Sequence, residues 1–137
     1  MDTVFHSTWT PRAQALLRIV TGFMFMMHGT SKFFGFPQAF PMKVELFSLI
    51  GLAGAMEVVG GALIIIGLFT RITAFLLSGE MAFAYWMGHA FSKGSPIFPS
   101  TNGGELAVEW CFVFLFLAAA GAGAWSIDAA RARTSMP

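Results

Sequence analysis

Polar and apolar positions alternate on a long period along this chain. Four runs of about 20 mostly hydrophobic residues are separated by short polar or Gly- and Pro-rich joints, and about 20 residues is what a helix needs to cross a bilayer core of about 30 Å. The runs extend from Ala13 to Phe36, Leu49 to Phe69, Arg71 to Phe91 and Glu105 to Trp125. None has the two-residue alternation of a barrel strand, and backbone groups in hydrocarbon must be satisfied within their own segment, so each run predicts a helix. The second and third runs meet at Thr70 and Arg71, which predicts a tight antiparallel hairpin, whereas the joints around Pro37–Ser48 and Ser92–Gly104 read as longer loops. The expectation is an all-α fold, a single domain over residues 1–137 built as a four-transmembrane-helix antiparallel bundle.

Composition sharpens that picture. Of the 137 residues, 56% are hydrophobic and only 11% carry full charge, against about 25% in a soluble domain. This excludes a disordered chain and a nucleic-acid binder and argues against an ordinary cytosolic enzyme, and the formal charge of +1 supplies no general pull toward anions. Both termini and the short second joint fall on one side with Arg12, Arg71, Arg131 and Arg133, whereas the opposite side offers Lys43 and Lys93, with Lys32 near the membrane edge. The positive-inside rule then places both termini in the cytoplasm. Arg18, His28 and Lys32 in the first run, with no clear small-residue cleavage site after it, speak against a signal peptide. Cys111 is the only cysteine, so the chain has no internal dithiol, and redox chemistry needs a bound cofactor or a partner.

Ionisable residues inside apolar runs are costly unless they pair or face a wet cavity. Arg18 lies in the first run, Glu57 in the second, Glu80 in the third and Glu109 in the fourth, with His28, Lys32, His89 and Glu105 nearer the helix ends. Counting by helical rise puts Glu57 and Glu80 near the midplane and gathers most other polar groups in the outer half, below the longer loops. Spacings of three or four join His28 to Lys32, Glu105 to Glu109 and Trp86 to His89, and set Glu57 in a strip with Gly54 and Gly61 where another helix can approach. The chemistry of a proton-handling pocket falls to His28, Glu57 and Glu80 as catalytic candidates. Arg18, Lys32, Trp86, His89, Asn102, Glu105 and Glu109 are ligand-binding candidates, with Phe83, Tyr85 and Trp86 as aromatic walls. The competing structural reading pairs Arg18 with Glu80 or Glu57 as a buried register-fixing ion pair. No metal site is expected, and without a repeated His pattern haem is disfavoured.

The most specific signal is the run Asn102-Gly103-Gly104-Glu105-Leu106-Ala107, then Cys111-Phe112-Val113-Phe114-Leu115, closed by Gly121-Ala122-Gly123-Ala124-Trp125-Ser126-Ile127-Asp128. Together with Leu17-Arg18, His28-Gly29, Lys32, Glu57, Gly60-Gly61 and Gly67-Leu68-Phe69-Thr70-Arg71, it resembles the DoxX family of membrane proteins from about Ala13 to Arg133. The resemblance implies a small four-helix bacterial inner-membrane protein associated with quinone-linked sulfur oxidation or with complexes that join thiol-handling enzymes. The positions it carries over are Arg18, His28, Lys32, Glu57, Gly61, Arg71, Asn102, Gly104, Glu105 and Asp128. Gly123-Ala124 departs from the family, where a Pro is common, and affects only how the helix ends.

Three functions remain open. The leading one is a quinone-linked redox component or accessory subunit that works with a partner redox protein in the bilayer. The second is a membrane anchor or assembly partner of a soluble oxidoreductase. The third is a small proton-coupled transporter, for which four helices make a thin wall and Gly51, Gly54, Gly61 and Gly121 offer homodimer contacts.

Overall fold

Where apolar residues run uninterrupted the backbone has no partner but itself, and the chain answers with helices. The computed structural model describes residues 2–92 and 97–135, with side-chain surroundings described from residue 6 onward; Lys93, one of the opposite-side cations, lies outside the described residues. The elements are α1 (Asp2–Phe34), α2 (Leu49–Ile66), α3 (Thr70–Ala84) continuing into a π-helical turn (Tyr85–Ala90), α4 (Pro99–Asn102), α5 (Glu105–Ala120) and α6 (Ile127–Thr134).

Several boundaries differ from the hydropathy reading. α1 starts well before Ala13 because the helix runs through Pro11, whose fixed φ suits a helix although its ring removes one donor. α5 stops at Ala120 rather than Trp125, since Gly121 (φ 91°) and Gly123 (φ 70°) take backbone angles that break the helix. α2 ends on Gly67 in the left-handed region, its N–H on the carbonyls of Ile64 and Leu63, and Phe69 is left-handed too, which turns the chain straight into α3. At its other end the Ser48 hydroxyl accepts from the Gly51 N–H at 3.0 Å.

α1 packs along α2, and α3 along α5. The first pair meets through glycines: a Cβ on Gly29 would stand 2.6 Å from the Gly54 carbonyl oxygen, and one on Gly61 would stand 3.0 Å from that of Gly22. The strip of Gly54, Glu57 and Gly61 thus serves contact within the chain, and so do the other glycines offered for a homodimer. Gly51 abuts Glu45 and Leu46, and Gly121 abuts Arg71. Residues 71, 78 and 85 of the second pair face 118–120, 111 and 104 in turn, so these helices are antiparallel. Phe25, Ile64, Leu77, Trp110, Phe114 and Leu117 fill the space between the pairs.

The polarity of the bundle is inverted. Arg18 is 0% and Glu57 4% exposed, while Phe75 is 63%, Phe112 62% and Val59 60% exposed. Among the described residues α2 alone is by itself long and apolar enough to cross a membrane. α5 has 16 residues, an axial length of about 24 Å, and α1 carries Arg18 and Lys32 on its long apolar face.

Candidate functional site

The two ends of the bundle do different things with their polar side chains. At the end holding the termini, Arg18 is wholly buried, and its five donors are spent on backbone carbonyls. Nε donates to Ala122 O at 2.9 Å, Nη1 to the α2 carbonyls of Ile64 and Ile65, and Nη2 to Trp125 O at 2.8 Å and Ala124 O at 3.4 Å. This corrects the expected ion pair with Glu80 or Glu57 and removes Arg18 from the ligand-binding set: the guanidinium caps α2 and the turn that follows α5. Arg71 does the same for α5, donating to the carbonyls of Ala118 and Ala119. Asp128 caps α3 in turn, accepting from the N–H groups of Phe69 at 3.0 Å and Thr70 at 2.8 Å. Partial burial pushes the Asp128 carboxyl up, but these donors and Arg131 outweigh it and hold the group below the usual carboxylate range.

At the other end the side chains leave space. A cavity of about 290 Å³ is lined by His28, Glu57, Met81, Ala84, His89, Gly103, Leu106, Ala107 and Trp110. His28 stands edge-on to Trp110, ring centroids 4.9 Å apart, and Trp110 rests edge-on against Phe25 in the same way. Glu57 is ion-paired with Lys32, whose Nζ lies 2.6 Å from both carboxylate oxygens. His89 comes from the π-helical turn, and its Nδ1 lies 3.2 Å from the main-chain oxygen of Asn102. A carbonyl only accepts, so Nδ1 carries the proton, and in the neutral ring Nε2 remains an acceptor. Asn102 is itself buried; its Oδ1 takes the Gly104 N–H at 2.8 Å and its Nδ2 reaches the Tyr85 hydroxyl at 3.4 Å. It positions the wall that carries His89 rather than lining the cavity.

Glu80 sits one residue before Met81 of the cavity wall, and both its carboxyl oxygens are buried with no hydrogen-bond partner. Below the cavity, Phe25, Ile64, Phe114 and Leu117 are wholly buried, so the space is blind toward the terminal end.

Four other candidates lie elsewhere. Glu105 and Glu109 share a side of α5, but it is the exposed side; the buried face is Ala107, Trp110, Phe114 and Leu117. Trp86 faces a separate hollow with Tyr85, Ile97 and Phe112, because the wider π turn rotates His89 away from it further than an α turn would. Phe83 points outward. Trp110 was missed as a site residue, although its place in the 107, 110, 114, 117 spacing marks it as inward-facing. Among the described residues no three His, Cys, Asp or Glu side chains cluster as a metal site.

The two cavity histidines, the Glu57–Lys32 pair and the two capping arginines all come from α1, α2 and α3 with its π turn, and this stretch, residues 13–90, matches the DoxX family model. The chain belongs to the DoxX family. A DoxX chain of this length has a near-complete counterpart in an uncharacterized protein of Haemophilus influenzae, 44% identical over 122 residues, which are 88% of this chain and 91% of the relative. It is also similar to a Bacillus subtilis protein named "Putative oxidoreductase CatD", 39% identical over 70 residues, 46% of this DoxX chain and 49% of the relative. No solved structure matches it.

Proposed function

We propose that this chain spans a bacterial inner membrane with four helices, both termini cytoplasmic, and acts as a quinone-linked redox component or accessory subunit. The membrane reading rests on the large apolar side chains that cover much of the outside and on Arg18, Lys32 and Glu57, which are held within. The redox reading rests on the cavity, supported by the name of the Bacillus subtilis relative. At about 290 Å³ the space is at the small end of ligand sites and suits a ring head group rather than a whole isoprenoid molecule. Its walls of Met81, Ala84, Leu106, Ala107 and Trp110 are apolar, and its polar groups are few and convergent. A bound quinone supplies two-electron, two-proton chemistry. The protein's part is to hold the ring against Trp110, to accept at His89 Nε2 the hydrogen bond that the hydroxyl of the reduced quinol donates, and to exchange protons through His28 and the Glu57–Lys32 pair. With one cysteine in the sequence, electrons come from a partner redox protein.

The test is lipid extraction and absorption spectroscopy of the gently purified protein, followed by titration with a short-chain benzoquinone. Stoichiometric quinone, or saturable binding lost in folded His28→Ala and Glu57→Gln variants, is the expected result. A haem band, or neither bound quinone nor any rise in thermal stability on adding it, defeats the proposal.

A further inference from the structure

On the outside of the bundle, at the end away from the cavity, a groove of about 490 Å³ runs between the first helix and the end of the fifth. Its floor is Leu16, Leu17 and Phe116; Trp9 and Trp125 flank it, and Arg12 is the one full charge on its lining. The Arg12 guanidinium carbon lies 5.4 Å from the Trp9 ring centre, and among the described residues it makes no ion pair. The groove is prebuilt. Trp125 is held in the left-handed region (φ 50°) with its carbonyl on Arg18, the Ala124 N–H donates to Pro11 O at 2.9 Å, and the Gln14 amide donates to Gly121 O at 2.6 Å. Below the groove the apolar surface continues one turn along α1 through exposed Val20 and Phe23.

We propose that this groove is a binding site for an anionic phospholipid, with the phosphate against Arg12 and one acyl chain along Leu16, Leu17 and Phe116. Charge complementarity selects the occupant. The same end of the bundle displays Arg71, Arg131 and Arg133, and of the acidic groups there Asp128 is already engaged with backbone N–H groups. An arginine that pairs with no carboxylate among the described residues, above an apolar channel and between two tryptophans, matches a phosphate above a chain at the level where a bilayer changes from head group to hydrocarbon. Because the walls are tied by backbone hydrogen bonds, binding orders the lipid without having to order the protein.

The proposal rests on the membrane-spanning reading and is independent of the quinone cavity. The protein is reconstituted into vesicles of equal phosphatidylglycerol and phosphatidylcholine, recovered in mild detergent, and its retained lipid is counted by native mass spectrometry. Phosphatidylglycerol should be retained over phosphatidylcholine by about fivefold, the effect of one arginine near a charged interface. Arg12→Gln should abolish the preference, Leu17→Trp should lower total retained lipid by filling the channel, and Arg133→Gln should leave both unchanged. Equal retention of the two lipids by wild type, or a preference that survives Arg12→Gln, overturns the site. Quinone retained in the groove, displaced by Leu17→Trp and indifferent to Arg12, overturns it in favour of a different occupant. Failure of the protein to float with the vesicles refutes the membrane reading instead.

Discussion

Lys32 Nζ lies 2.6 Å from each carboxylate oxygen of Glu57, joining the last turn of α1 to the middle of α2 beside the cavity. Both side chains are largely out of solvent, at 13% and 6% exposure. Removing one partner strands the other, so Lys32→Met is expected to cost about 3 kcal/mol or more of stability. Replacing both, Lys32→Met with Glu57→Gln, should cost clearly less than Lys32→Met alone. Thermal unfolding of the four proteins in one detergent checks the cycle, and a double variant as weak as the single one contradicts the pairing.

The α1–α2 seam should be intolerant of a single methyl. Gly29→Ala places a carbon 2.6 Å from the Gly54 carbonyl oxygen and 2.7 Å from a Val58 methyl, so the helices must separate, at a cost of about 1–3 kcal/mol. Gly79 on α3 has nothing within 4 Å of its added Cβ. There alanine should stabilise by about 0.5–1 kcal/mol through helix propensity. Opposite signs in parallel melts are the expected outcome, and equal losses at both sites would refute this seam.

Arg18 should matter to folding and not to ligand affinity. Arg18→Leu leaves the carbonyls of Ile64, Ala122 and Trp125 without their donor, each a loss of about 1–3 kcal/mol. Arg18→Lys should restore little, since an ammonium lacks the planar fork that reaches both groups of carbonyls. Quinone titration of the folded fraction should give an affinity within about twofold of wild type, as for independent sites. A much larger change would return Arg18 to the binding site.

Acid should act on the terminal end through Asp128. Its folded-state ionisation is shifted down, so its contribution is complete above the unfolded value of about 3.9 and is lost as pH falls through the lower folded value. The melting-temperature gap between wild type and Asp128→Asn should therefore be constant near neutrality and narrow below about pH 4. A gap independent of pH down to pH 2 would mean that the carboxylate's charge contributes nothing.

Much of this architecture can be read from the chain, because it depends on local signals. Apolar runs located the four long helices, Gly67 to Thr70 located the hairpin, and Gly54, Glu57 and Gly61 located a seam whose partner proved to be α1. Of His28, Glu57, Glu80 and His89, grouped on chemistry and level alone, three line one cavity and Glu80 stands beside it. Other assignments failed where the deciding fact was not local. A spacing of four shows that Glu105 and Glu109 share a side, but only the packing of Trp110 and Phe114 shows that the side faces out. A spacing of three joins Trp86 to His89 only in an α-helix, and nothing in Tyr85–Ala90 announces the π turn. Arg18 invited a carboxylate partner, and its true partners are carbonyls exposed by a turn about a hundred residues later.

The placement of Arg18 also bears on the order in which the protein is made. Its α2 partners, Ile64 and Ile65, emerge from the ribosome well before Ala122 and Trp125 exist. α1 and α2 by themselves therefore supply only part of the guanidinium's shell, and the rest waits for α5 and the turn after it. When that turn is in place the shell closes, so one side chain ties an early part of the fold to a late one.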